Sequence, residues 1–183
     1  MMVAGGAMLI AALLFGCGGG GSSTGSEAPF PPSVVTDDDI SAQPDGSPQR
    51  ALLEWWQAYQ FGDAEQVLER TSKSTIDQLG KSDFSELVKT TGQGLQGVEV
   101  LGAETFGDKA SVRVGLLQFE PQKPGGPQPD EPSGSTPDTI EMDKQGNDWL
   151  FAAPEFIEPK LESFKQSQEQ QTSTTTETTS TGG

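Results

Sequence analysis

At 183 residues, with 27 acidic against 11 basic side chains and a net charge of −16, the chain has room for one domain and some tethers. That imbalance disfavours nucleic acid, whose affinity comes from neutralising phosphates, and equally a peripheral grip on anionic lipid. Histidine is absent and cysteine occurs once, which removes the usual neutral-pH acid–base group, the commonest metal ligand and any disulfide framework. No catalytic residue, metal site or cofactor is expected from composition.

The chain opens with an uncharged apolar run from Ala7 to Phe15. A mature transmembrane helix needs about 20 apolar residues, so this run is too short to span and suits the roughly 7–15-residue core of a signal peptide. Leu14-Phe15-Gly16-Cys17 follows as its end, and Gly18 to Gly21 come straight after. The arrangement resembles the signal peptide and lipobox of a bacterial lipoprotein: aliphatic Leu14, Phe15 at the tolerant third position, small Gly16, then Cys17. Phe15 is bulkier than that pattern prefers, and residues 1–6 carry no Lys or Arg. The resemblance implies a diacylglyceryl group on the Cys17 sulfur and cleavage between Gly16 and Cys17. Residues 1–16 would be the signal peptide, and the mature protein would sit outside the cytoplasm, held to the cell membrane by lipid. A second acyl chain is what makes such an anchor stable, since one chain binds with a constant of only about 10⁴ M⁻¹.

Residues 17–47 read as the lipidated cysteine and a flexible tether, rich in Gly, Ser and Pro and bearing only negative charge. A chain of that length reaches roughly 30 Å. Asp37-Asp38-Asp39 lacks the spacing and glycine of a calcium loop and reads as solvated. The folded domain, expected over residues 48–164, starts with Ser47-Pro48, an N-cap with proline at the first helical position. Leu52, Trp55 or Trp56, and Tyr59 recur at helical spacing, and Gly62 ends the helix. Asp63-Ala64-Glu65-Gln66 opens a second short helix with Ala64, Val67 and Leu68 inward. Two more short helices are expected, one capped by Ser74 with Ile76 and Leu79, one beginning near Ser82 with Phe84, Leu87 and Val88.

At Gly97 the apolar period changes from helical to two. Val98 and Val100 begin a strand, Gly107-Asp108 turns, and Ala110, Val112, Val114 and Leu116 alternate with polar or small residues on the next. The double step Leu116-Leu117 predicts a bulge there, with Phe119 continuing the new phase. Residues 121–137 read as a Pro/Gly loop. Thr139–Asp143 and Asp148–Ala153 form a hairpin about Lys144-Gln145-Gly146-Asn147, with Trp149 and Phe151 on one face. A glycine hairpin turn accounts for this tip without an ion. Phe156, Ile157, Leu161 and Phe164 make a closing segment, and residues 165–183 read as a disordered tail, too polar to offset ordering entropy.

The expected fold class is thus α+β: a helical N-terminal half packed on a curved four-strand antiparallel meander, flanked by a disordered tether and tail. The opening Leu52-Leu53-Glu54-Trp55-Trp56-Gln57-Ala58-Tyr59 with Gly62-Asp63, then Gly107-Asp108-Lys109-Ala110-Ser111-Val112-Arg113-Val114, then Asp143-Lys144-Gln145-Gly146-Asn147-Asp148-Trp149, resembles the nuclear-transport-factor-two-like superfamily, a cystatin-like cone. The likeness covers residues 48–153 and rests on structural motifs. It implies a domain that hosts both isomerases and pure binding modules, so fold does not choose between them.

Family enzymes place Asp, His or Tyr inside the cone. Tyr59 and Asp77 are the candidates here, although Asp77 also fits the first turn of a helix capped by Ser74. Trp55, Trp56 and Trp149 suggest a cavity lining or an interaction surface, against the plainer reading that they are core. Adjacent Trp55 and Trp56 do not face one interior together, so one is expected at the rim, under the segment at Phe156, or against a partner protomer. Three functions follow: a non-catalytic envelope module binding a small apolar ligand or a protein partner; an isomerase- or dehydratase-like enzyme using Tyr59 and a carboxylate; or an accessory subunit anchored through Trp55 or Trp56.

Overall fold

The computed structural model describes residues 34–92, 95–118 and 132–175. The lipobox residues Leu14, Phe15, Gly16 and Cys17, together with Phe119, most of the 121–137 loop and the last residues of the tail, lie outside the described residues. In chain order the elements are α1 (Asp37–Ser41), α2 (Pro48–Gln60), α3 (Ala64–Glu69), α4 (Lys73–Leu79), α5 (Lys81–Thr91), β1 (Val98–Phe106), β2 (Lys109–Gln118), β3 (Gly134–Gln145), β4 (Asp148–Phe151) and α6 (Pro154–Thr175). The four strands pair in sequence order as one antiparallel meander, and helices pack against it, so the fold is α+β.

Helix α2 is the centre of the molecule. Its start is fixed locally: the Ser47 hydroxyl accepts from the Arg50 N–H and Pro48 takes the first turn, where no donor is needed. It carries two apolar stripes about 100° apart. Leu52, Trp55 and Tyr59 form one, Leu53, Trp56 and Gln60 the other, and all are buried. A helix buried on two sides needs cover from more than one layer. The sheet supplies the first, where the Trp55 indole stacks on Phe151 of β4 with ring centroids 4.0 Å apart and planes within 5°. The second comes from Phe156 of α6, 5.3 Å from the Trp56 ring. Both tryptophans are therefore core, and Trp56 is covered by the C-terminal helix.

Polar tips in this core are matched. Trp55 Nε1 donates to Thr71 Oγ1 at 2.9 Å, and Thr71 donates on to the Val67 carbonyl at 2.6 Å. Trp56 Nε1 donates to the Gln96 carbonyl at 2.8 Å. The α3–α4 link lies parallel to β4, with Phe151 N–H bonded to the Arg70 carbonyl and Ser72 N–H to the Phe151 carbonyl, both at 2.8 Å. This link locks the helical half to the sheet.

Five local expectations are corrected. Residues 34–46 are not tether: Val35 and Ile40 are buried, and the Val35 N–H donates to buried Gln60 Oε1 at 2.9 Å. Asp37, Asp38 and Asp39 form the first turn of α1, where carboxylates favour the positive end of the helix, and Asp39 closes a capping box with Thr36. Helix α4 is capped by Ser72, not Ser74, and α5 begins at Lys81 after Gly80 without a side-chain cap. The bulge lies in β1, between Val100 and Gly102, while β2 runs in register through Leu116 and Leu117. Strand β3 starts at Gly134 and includes Pro137, opposite Gly115. Because β4 covers only Met142 to Gln145, the first part of β3 is an open edge among the described residues, where a residue without an N–H is tolerated. Finally α6 does not stop at Phe164: Lys165 pairs with Asp83 of α5 at 2.6 Å and Gln168 reaches Glu86 at 3.3 Å. Gln, Glu, Lys and Ser are adequate helix formers once a packed start nucleates the helix.

Candidate functional site

The residues singled out from sequence do not converge on one chamber. Trp55 and Trp56 have no exposed surface. Asp77 sits on the outside of α4, in an ion pair with Lys73 at 2.5 Å, and faces water. Trp149 lies beside α2 at the edge of the sheet, with the Lys144 ammonium 5.4 Å from its ring centroid. Tyr59 keeps its hydroxyl beside a groove. The space between α2 and the inner sheet face, where a cone cavity would lie, is filled by Leu52, Trp55, Val112, Ile140, Met142 and Phe151.

Trp149 borders a groove of about 480 Å³ floored by an ion-pair chain. Glu54 accepts from Arg50 Nε at 3.3 Å and from Arg70 at 2.5 Å, while Arg50 also pairs with Asp45. Each guanidinium has a carboxylate already, so this groove reads as a surface network tying α2 to the α3–α4 link.

A second groove, about 540 Å³, runs between α5 and α6. Leu87, Thr91 and Leu95 form one wall; Pro159, Lys160, Ser163, Phe164 and Ser167 form the other. Tyr59 is its floor, only 1% exposed, with its hydroxyl 3.3 Å from Thr91 Oγ1. Burial pushes the phenol above its ordinary value, and the Thr91 contact opposes that shift. The Lys160 ammonium rests 4.5 Å from the Phe156 ring centroid. Partial desolvation there lowers its pKa, with the field of Asp138 acting the other way.

Sequence reading found Tyr59 but missed Thr91, Lys160 and the α6 wall. A signal existed, because 159, 160, 163, 164 and 167 follow the i, i+4, i+8 recurrence of one helix face. That stripe straddles the point where composition turns polar, which hides it. Among the described residues no group of three or more Cys, Asp or Glu side chains is placed to hold a metal ion, and no helix is long and apolar enough to cross a membrane.

No family model matches the chain, and no curated protein matches it either. Among solved structures, a SEC-C motif containing protein from Rhodopseudomonas palustris, determined in solution, is similar at a TM-score of 0.44 and 18% sequence identity, over 63% of this chain and 84% of that one. A likeness that slight carries no functional argument.

Proposed function

We propose that this protein is a lipid-anchored extracytoplasmic binding module of the bacterial cell envelope, with a nuclear-transport-factor-two-like domain whose cone is packed shut and which performs no catalysis. The anchor rests on Leu14-Phe15-Gly16-Cys17 and the glycine run behind it. The binding reading is carried by one observation: the volume an isomerase would use holds the Trp55–Phe151 stack and its aliphatic neighbours instead of a pocket. The enzyme reading also lacks its carboxylate, since Asp77 points outward into its pair with Lys73. The accessory-subunit reading needed Trp55 or Trp56 at the surface, and both are internal. A small apolar ligand or an envelope protein meeting the outer grooves remains the partner class this geometry favours.

Metabolic labelling with palmitate in a bacterial host tests the anchor. The chain is expected to take up label and Cys17→Ala to take up none. Equal labelling of the two chains would remove the anchor from the proposal.

A further inference from the structure

The groove between α5 and α6 has an unusual donor inventory. Thr91 spends its hydroxyl proton on the Leu87 carbonyl at 2.8 Å, so in the Tyr59–Thr91 pair it is Tyr59 that donates. On the opposite wall Ser163 donates to the Pro159 carbonyl and Ser167 to the Ser163 carbonyl, both at 2.9 Å. Every groove hydroxyl thus turns its proton into its own wall. The remaining surface comes from Leu87, Leu95, Pro159 and Phe164, which are apolar. Among the described residues, the one donor left for an occupant is the Lys160 ammonium, which has an aromatic ring but no carboxylate within ion-pair distance.

We propose that this groove binds a medium-chain fatty acid, its carboxylate on Lys160 and its alkyl chain laid along α6 toward Ser167 over Tyr59 and Phe164. The proposal rests on the binding-module reading above and names its ligand class. Size agrees: from Pro159 to Ser167 the α6 wall runs about 12 Å at 1.5 Å per residue, which suits a medium chain better than a long one. Charge agrees as well. Lys160 makes no ion pair among the described residues, and a cation at the end of an apolar trough selects an amphiphile with one anionic head.

Isothermal titration calorimetry with sodium decanoate, and with decanol as the neutral analogue, tests this on the full chain carrying Cys17→Ser. Without an attached acyl group the experiment reports on the groove alone, and its failure is separable from failure of the anchor, which palmitate labelling reads. Saturable binding of both probes is expected. Lys160→Gln should weaken decanoate about fivefold and leave decanol unchanged, the size of a partly exposed charge pair. Ser163→Trp, a change at an exposed helical position that fills the trough, should abolish both. Absence of decanoate binding by the Cys17→Ser chain, or equal decanoate affinity with and without Lys160, would overturn the proposal.

Discussion

Thr71 joins the helical half to the sheet through one hydroxyl. It accepts the Trp55 indole proton and donates to the Val67 carbonyl, and it is itself buried. Thr71→Val keeps the shape and strands a buried indole N–H. A loss of about 2 kcal/mol is expected, read as a lower urea midpoint at unchanged slope. Tyr59 offers a second test at this scale. Its folded pKa lies above the unfolded value of 10.0, so its share of stability is whole below pH 10 and is lost as pH rises through the folded value. It is the chain's one tyrosine, so phenolate absorbance reports a single group. The native chain should ionise at higher pH than the chain in urea, and Tyr59→Phe should soften the alkaline fall in stability. Coincident native and denatured titrations would contradict the burial described.

Among the elements, the contact of α5 with the end of α2 is backbone to backbone. A Cβ added at Gly92 would stand 2.4 Å from the Tyr59 carbonyl oxygen and 2.9 Å from the Gly62 nitrogen. Gly92→Ala must push the two helix ends apart, and about 2–3 kcal/mol of destabilisation is expected in thermal or urea unfolding. Helix α6 divides into a structural first half and a lightly held second half. Ile157 and Leu161 are buried and Phe156 covers Trp56, whereas beyond Phe164 Lys165 makes a partly exposed ion pair with Asp83 and the exposed Gln168 reaches Glu86. Truncation after Phe164 should cost about 1 kcal/mol or less. Truncation before Pro154 should uncover the Trp56 face and give a chain that binds a hydrophobic dye and melts without cooperativity. Similar melting of the two truncated chains would show that α6 does not cap the core.

At the scale of the whole molecule, the folded body begins upstream of α2. Ile40 and Val35 belong to the core, and Val35 satisfies the buried Gln60 amide. Ile40→Ala is expected to cost about 2 kcal/mol, at the low end for a core truncation because α1 is short and peripheral. A chain starting at Pro48 should lose more, since it also removes the buried Val35 N–H bond to Gln60 Oε1.

What could be read from the sequence was what is decided within a few residues of itself. Ser47-Pro48, Asp63 with Gln66, the change of apolar period at Gly97 and the glycine turns at Gly107 and Gly146 each act through local sterics and local hydrogen bonds, and each stands where composition and spacing put it. The α+β class follows from them. Tertiary structure alone decided that Trp55 and Trp56 are both internal, because burial of the second depends on a helix about 100 positions away. It likewise turned an acidic tether into α1 and a polar tail into more of α6, since partners distant in sequence supply the contacts that offset ordering entropy. The α5–α6 groove belongs to the same class: the periodic stripe on α6 marks one wall, but only the tertiary packing sets it against Leu87, Thr91 and Leu95.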